Sequence, residues 1–416
     1  MIEKLHPLYP SLYGKNYNEK ELDSRFTSLI EKHKELFGNS SPMLFSAPGR
    51  TEIAGNHTDH NQGLVIGASI NLDTVAAVTK RDDSIVTFIS EGFPLITVDI
   101  SDTEVKENEK NTTSALIRGI ANGFKKRGVS VGGWDANVSS TVLIGSGLSS
   151  SASVEVLIGE IFNSLFNEDK FSPIEVAKIG QYAENVYFGK PSGLLDQVSC
   201  ANGGAVLIDF KDKDEPVIES LNLDLSSFDL AMIITAVGDC HASLTDEYAA
   251  IPNEMKEVAH FFGKENLREV DYGLFLESIK ELREKLKNDR AILRAYHYYS
   301  ENERVKFMKE ELENEDIDTF LYNVNESGVS SFCFLQNVYP SISTKEQGLA
   351  IALFLSQQVL MGEGASRVHG GGFAGTIQAY VPLRLVDKYI SKMESVFGKG
   401  CSSVISIRNK SVCRLI

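Results

Sequence analysis

Apolar and polar positions along the chain repeat with two periods, and the elements they predict alternate irregularly. From Glu19 to Phe37, the residues Leu22, Phe26, Leu29, Ile30, His33 and Phe37 share one helical face, and Gly38 is the stop signal. Met43–Pro48 reads as extended. Four short β-like runs follow, at Leu64–Ile70, Thr74–Lys80, Ile85–Ser90 and Ile96–Ile100. Their β-branched residues and turn-like gaps predict an antiparallel sheet. Next come a helix over Thr112–Lys126, a strand over Trp134–Leu143 and a helix over Ala152–Leu165. A further helix spans Pro173–Phe188, with Ser172 as N-cap and Pro173 in its first turn. Ala205–Asp209 resumes as a strand.

Near Lys211 the pattern breaks at KDKDEP, a charged, proline-closed connector, so the chain divides into residues 1–212 and 213–416. The second part opens with a strand over Leu230–Ala236. Helices are predicted at Ile251–Phe262, Gly273–Leu286, Ile317–Glu326 and Lys345–Gln358. A strand at Gly375–Val381, a helix at Leu383–Phe397 and a strand at Ser403–Ile407 close it. Helices and strands without regular βαβ alternation indicate an α+β fold.

Composition narrows the function. The chain has 416 residues, enough for two or three domains, and its net charge is 41 − 57 = −16. An acidic chain is a poor partner for nucleic acid or an anionic membrane. A small polyanion must be held locally, by backbone N–H groups, a metal and a few basic side chains. The five cysteines are widely spaced with no CxxC, which speaks against a zinc site or a disulfide framework. The start, MIEKLHPLYP, lacks an apolar export segment, and no apolar run approaches a membrane span. A cytoplasmic protein is expected.

Four clusters carry candidate chemistry. The stretch from Ile144 to Glu155, IGSGLSSSASVE, lies between the predicted strand and helix. Its glycines let a ligand approach the backbone, and its serines and the following helix N-terminus suit a phosphate. The second cluster, Gly49 to Gly63, gathers Arg50, Glu52, Asn56, His57, Asp59 and His60, donors and acceptors suited to sugar hydroxyls and read as a loop. Zinc ligation by His57, Asp59 and His60 lacks a partner pair of the usual spacing. Third, Glu184 and Asp196 are two carboxylates that can serve as metal ligand and base. Fourth, RVHGGGFAG (367–375) holds four glycines in six residues, a place for close ligand approach. There is no Walker A string, and the G-x-S-x-G at 128–132 precedes a strand and is a chance match.

These segments resemble the galactokinases of the GHMP small-molecule kinase family. GRTEIAGNHTDHNQG resembles their sugar signature, GRxNLIGEHxDYxxG. IGSGLSSSAS resembles their second motif, RVHGGGFAG their third, and PSGLLDQ the segment with the catalytic aspartate. The resemblance implies an N-terminal domain of the ribosomal-S5-like type, a ferredoxin-like C-terminal domain and a site between them. It implies ATP as cofactor with Mg²⁺, and transfer of phosphate to the anomeric hydroxyl of galactose. By the same resemblance Asp196 is the base and Arg50 lies beside it. Asn56, His57, Thr58, Asp59, Gly193 and Tyr248 contact the sugar. Ser90, Gly145, Ser146, Gly147, Leu148, Ser149, Ser150 and Ser151 hold the nucleotide, and Ser151 and Glu184 the magnesium.

The sequence departs from the family pattern in places. The family's Asn is Glu52 here, its Glu is Asn56, its Tyr is His60, and Ala374 replaces a glycine; helix 112–126 lacks the family's tryptophan. Loss of the glutamate at Asn56 removes a charge expected near C6 of the sugar. This leaves galacturonate or N-acetylgalactosamine as alternative substrates. A sugar- and ATP-binding sensor without turnover is the other alternative, though the serine run is intact.

Overall fold

A computed structural model describes residues 1–38, 41–142, 147–190, 192–212, 215–238 and 244–416. Its strands are β1 (Met43–Ala54), β2 (Leu64–Lys80), β3 (Ile85–Ser90), β4 (Ile96–Asp99), β5 (Trp134–Ser140), β6 (Ala205–Asp209), β7 (Val217–Leu221), β8 (Leu230–Ala236), β9 (Ala365–His369), β10 (Thr376–Pro382), β11 (Ser402–Ile405) and β12 (Cys413–Arg414). The helices of eight residues or more are α1 (Glu19–Phe37), α2 (Thr113–Lys126), α3 (Ser150–Asn167), α4 (Pro173–Ala183), α5 (Leu195–Asn202), α6 (Thr245–Phe261), α7 (Ile279–Leu286), α8 (Asp289–Glu313), α9 (Ile317–Ser330), α10 (Gly348–Leu360) and α11 (Val386–Phe397). None is long and apolar enough to cross a membrane.

Local signals explain most of these boundaries. Asn18 caps α1 by accepting from the Glu21 N–H, and Gly38 ends it at φ +67°. Ser172 and Glu175 form a reciprocal capping box at α4, with Pro173 in the first turn. The predicted helix 173–188 changes character at its end: α4 stops at Ala183 and Glu184–Phe188 forms a π turn.

The strands form two sheets. In the first, the path runs β12-β1-β2-β5-β3-β4, with β6 pairing β2 and β7 pairing β6. The second is β11-β8-β10-β9, antiparallel throughout. The first sheet is mostly antiparallel, but β3 and β5 run parallel. It also crosses the boundary expected at 212, because β7 and β12 both belong to it. The two predicted strands 64–70 and 74–80 are one continuous β2. Asn71-Leu72-Asp73 does not turn, because Asp73 is drawn inward. Its carboxylate is fully buried and bonded by Arg25 at 2.6 Å, Ser46 at 2.6 Å and Tyr13 at 2.9 Å, with Arg408 at 3.5 Å. Burial alone raises a carboxyl, but the two guanidiniums hold Asp73 below its usual range.

One face of the first sheet packs under α2, α3, α4 and α5 around Phe124, Trp134 and Phe162. The other face shares a core with the second sheet: Ile53 and Ile66 meet Met232, Ile234 and Tyr380, closed by Val305 and Met308 of α8. That shared core brings β1 against β9.

Candidate active site

The sugar-like segment does not begin as a loop. Arg50 and Glu52 lie on β1, and only Gly55 onward leaves it. The β1–β2 register shifts between Pro48 and Arg50 and again between Glu52 and Ala54. Such bulges re-aim side chains. Gly49 sits in the first, and a Cβ there would come within 2.9 Å of the Leu148 carbonyl. A glycine is therefore needed where β1 meets the serine-rich segment.

Arg50 and Asp196 meet as expected. Arg50 Nε donates to Asp196 Oδ1 at 2.8 Å, and Arg50 Nη1 donates to the Gly147 carbonyl. Ser149 Oγ donates to the other carboxylate oxygen, Oδ2, at 2.5 Å. Ser149 is held at φ +57° immediately before α3, and Asp196 lies in the first turn of α5. Burial raises the Asp196 carboxyl, but Arg50 and the two hydrogen bonds hold it below the usual carboxylate range. Its side chain is still 37% exposed, whereas that of Arg50 is only 8% exposed. The carboxylate is thus ionised, oriented and reachable from one side.

Of the phosphate-loop residues, Gly145 and Ser146 lie outside the described residues. Gly147 has φ +70°, and a Cβ there would press on His369 and Thr376. Leu148 contributes backbone only: its side chain is core, and its carbonyl accepts from the Arg50 N–H at 3.0 Å. Ser150 and Ser151 open α3, where free N–H groups and the helix dipole favour an anion. Ser90 ends β3 opposite Val138 of β5, and its carbonyl accepts from the Phe93 N–H at 3.0 Å.

The sugar-contact candidates divide in two. His57 (φ +60°) bonds the Gly371 carbonyl at 3.0 Å, and Tyr248 donates to the Gly372 carbonyl at 3.1 Å while its ring edges Phe373. Asp59 faces Gly193, where a Cβ would lie 2.5 Å from Asp59 Oδ2. His57 and Tyr248 thus meet the glycine segment 370–372, and Asp59 meets Gly193, three residues before Asp196. Burial pushes the His57 imidazole down to about 4, so it is neutral at physiological pH. Asn56 and Thr58 do not join them. Thr58 is fully buried, its hydroxyl 2.7 Å from the Leu64 carbonyl and 2.9 Å from that of Gly55, so it staples the loop. Asn56 is fully buried too. It donates to Glu52 Oε1 at 3.0 Å and to the Gly370 carbonyl at 2.8 Å, and accepts from Asn337 at 2.9 Å. No donor is left to read C6 of a sugar. Glu52 in turn pairs with the fully buried Arg367. The two motif departures are therefore one exchange, carboxylate for carboxamide, between side chains in contact.

The third glycine segment forms the wall behind this loop. The carbonyls of Gly370, Gly371 and Gly372 accept from Asn56, His57 and Tyr248 in turn. Glycine is required at 371, where a Cβ would lie 2.5 Å from the Tyr248 ring.

Glu184 is nearly buried. Gln197 Nε2 donates to its Oε2 at 2.8 Å, Ser192 Oγ donates to the same oxygen, and Lys190 lies 3.1 Å from Oε1. Gln197 Nε2 also donates to Glu155 Oε2 at 2.9 Å. Burial and the Glu184 charge push the Glu155 carboxyl up to about 8. Sequence reasoning missed Glu155, Lys190, Ser192 and Gln197. Lys190 precedes the PSGLLDQ segment, Ser192 lies within it and Gln197 ends it, but Glu155 looks like an ordinary helix residue. Ser151 at the start of α3 and Glu184 each offer a hard oxygen of the kind a divalent cation accepts, and Lys190, 3.1 Å from Glu184, is the carboxylate's present counter-charge.

Comparison with known proteins accords with this geometry. Residues 31–80 match the galactokinase galactose-binding signature, and residues 115–204 match the GHMP kinase N-terminal domain. The galactokinase of Glaesserella parasuis is 32% identical over 372 residues, covering 86% of this chain and 89% of that protein. That of Clostridium tetani is 29% identical over 387 residues, covering 92% and 93%. The crystal structure of Lactococcus lactis galactokinase complexed with galactose superposes with a TM-score of 0.79 at 25% identity, covering 93% of this chain and 99% of that one. A mevalonate kinase shares the fold at a TM-score of 0.64 and 13% identity. Sharing about a third of its residues with a galactokinase over most of both chains, the chain belongs to the galactokinase family.

Proposed function

We propose that this protein transfers the γ-phosphoryl group of ATP to the anomeric hydroxyl of galactose, yielding galactose 1-phosphate and ADP in the cytoplasm. The observation that carries this reading is the double grip on Asp196, by Arg50 from the sugar strand and by Ser149 from the phosphate segment. One carboxylate thereby borders both the acceptor and the donor side.

The chemistry follows from the charges. Asp196 is held ionised, so it accepts a hydrogen bond from the anomeric O–H and orients an oxygen lone pair toward phosphorus. As the new O–P bond forms and the bond to ADP breaks, the hydroxyl proton passes to Asp196 and on to solvent. A carboxylate below the ordinary range is a weak base, which suits a loose transition state in which the proton moves late. Arg50 neutralises Asp196 and lies toward the transferring group. His57, Asp59, Gly193 and Tyr248 form the sugar side, and the opening of α3 the phosphate side. Ser151 and Glu184 would hold Mg²⁺, which neutralises phosphate charge.

An ADP-release assay over a panel of hexoses, with ³¹P NMR of the product, tests the assignment. Galactose is expected to give the highest kcat/KM and a 1-phosphate. Preference for another sugar, or a phosphate elsewhere on the ring, refutes it.

A further inference from the structure

We propose that Gln197 is a positioning residue that fixes the place of Glu184 relative to Asp196. The inference rests on Glu184 acting as a metal ligand.

Gln197 follows Asp196 directly, but the two side chains serve different neighbours. Asp196 turns to Arg50 and Ser149, and Gln197 is fully buried behind it. A carboxamide nitrogen carries two hydrogens, and both go to carboxyl oxygens: Glu155 Oε2 at 2.9 Å and Glu184 Oε2 at 2.8 Å. The reversed amide would set its carbonyl against the Glu184 carboxylate, which favours the nitrogen on this side. Among the described residues, Gln197 Oε1 and Glu155 Oε1 are buried without a hydrogen-bond partner. Among those residues the two acids are what orients the amide.

The bridge joins three elements. Glu155 lies one turn beyond Ser151 on α3, Glu184 follows α4, and Gln197 is on α5. Gly180 of α4 closes the junction, since a Cβ there would lie 3.3 Å from Glu155 Cβ and 3.6 Å from Gln197 Cγ. The Lys190 side chain, 59% exposed, can leave Glu184 when a cation arrives. The buried amide cannot leave. Lysine is thus a replaceable counter-charge, and glutamine is the fixed strut between the metal side and the acceptor side. A glutamate at 197 would crowd a third acid into the junction, and an apolar residue would release Glu184.

Mn²⁺ serves as the probe. Its affinity is measured by electron paramagnetic resonance with a non-hydrolysable ATP analogue bound, alongside the Mg²⁺ dependence and the galactose KM. Gln197→Met should weaken Mn²⁺ about tenfold or more, as loss of an outer-shell partner does, and leave the galactose KM within about twofold. Glu155→Leu removes the other end of the strut and should act alike, whereas Glu155→Gln keeps an acceptor and should restore affinity to within about twofold. Glu184→Ala is the control. If it weakens Mn²⁺ while folded Gln197→Met and Glu155→Leu do not, the strut is overturned and the metal assignment stands. If Glu184→Ala leaves Mn²⁺ affinity unchanged, the metal assignment falls and the strut with it. Should Gln197→Met fail to fold, Glu155→Leu decides by the same reading.

Discussion

Exchanging the buried pair Glu52 and Asn56 gives a sharp energetic test of the site's floor. In Asn56→Glu, two donors become acceptors facing Glu52 Oε1 and the Gly370 carbonyl, formerly 3.0 and 2.8 Å away. Each buried acceptor left unpaired costs about 1–3 kcal/mol, so a loss of about 3–5 kcal/mol is expected. Glu52→Asn strips the fully buried Arg367 of its carboxylate, and breaking such a pair costs about 3–5 kcal/mol. In the double variant the amide and the acid have traded places: the carboxamide now at position 52 donates to the carboxylate now at position 56, and one carboxylate remains beside Arg367. The losses should then fall short of their sum by about 2 kcal/mol or more. Urea unfolding of the four proteins measures this directly. Losses that add to within about 0.5 kcal/mol would refute coupling between the two positions. Asn56 is fully buried with both amide hydrogens engaged, so any folded Asn56→Glu protein should keep its ratio of kcat/KM for galactose and galacturonate.

Other outcomes are equally open to measurement. Asp196→Asn should lower kcat about 10²–10⁴-fold while leaving binding of an ATP analogue intact by calorimetry; more than a tenth of the wild-type rate would remove Asp196 from the centre. Gly193→Ala forces a Cβ to 2.5 Å from the Asp59 carboxylate, so the galactose KM should rise well beyond the ATP KM. Burial raises the Glu160 carboxyl to about 7, above its unfolded value of 4.5. The folded state therefore keeps a proton that the unfolded state loses, and stability should decline as pH rises from 4.5 to 7 and level off above. That shift corresponds to about 3 kcal/mol, and Glu160→Gln should flatten the decline in thermal melts.

Legibility followed the kind of partner each residue has. Where apolar periodicity faces one core, as in α1 and β3, the expected and observed bounds coincide. The longest helix, α8, went unseen, because its 25 residues carry dense charge over a diffuse apolar face. Some of that charge is buried and paired, as Arg294 is with Glu254 at 2.9 Å. β1 was cut short for the same reason: Arg50 and Glu52 look like loop residues until Asp196 and Arg367 are seen opposite them. The Arg50–Asp196 pair was readable through its motifs. Glu155 was not, since a lone acid in a helix gives no sign of the amide that meets it from α5. Asn56, as a polar residue in a sugar motif, suggests the ligand, whereas its hydrogen bonds run to Glu52, Gly370 and Asn337 of the wall.

The Asp73 carboxylate bears on how the chain is made. Arg25, Tyr13 and Ser46 are synthesised before it, but Arg408 comes 335 residues later. At about 5–20 residues per second, that interval is on the order of half a minute on the ribosome. Once Asn202 has been made the first sheet has its helices, yet it still lacks one counter-charge at its centre. It also lacks β12, which pairs with β1 at Phe45 and Ser46 and covers that edge. An uncovered edge is a template for pairing with another chain. A nascent protein stalled short of Arg408 therefore carries two liabilities from one missing segment, an under-neutralised buried acid and an open strand. Arg408 and β12, which lie close together in sequence, relieve both.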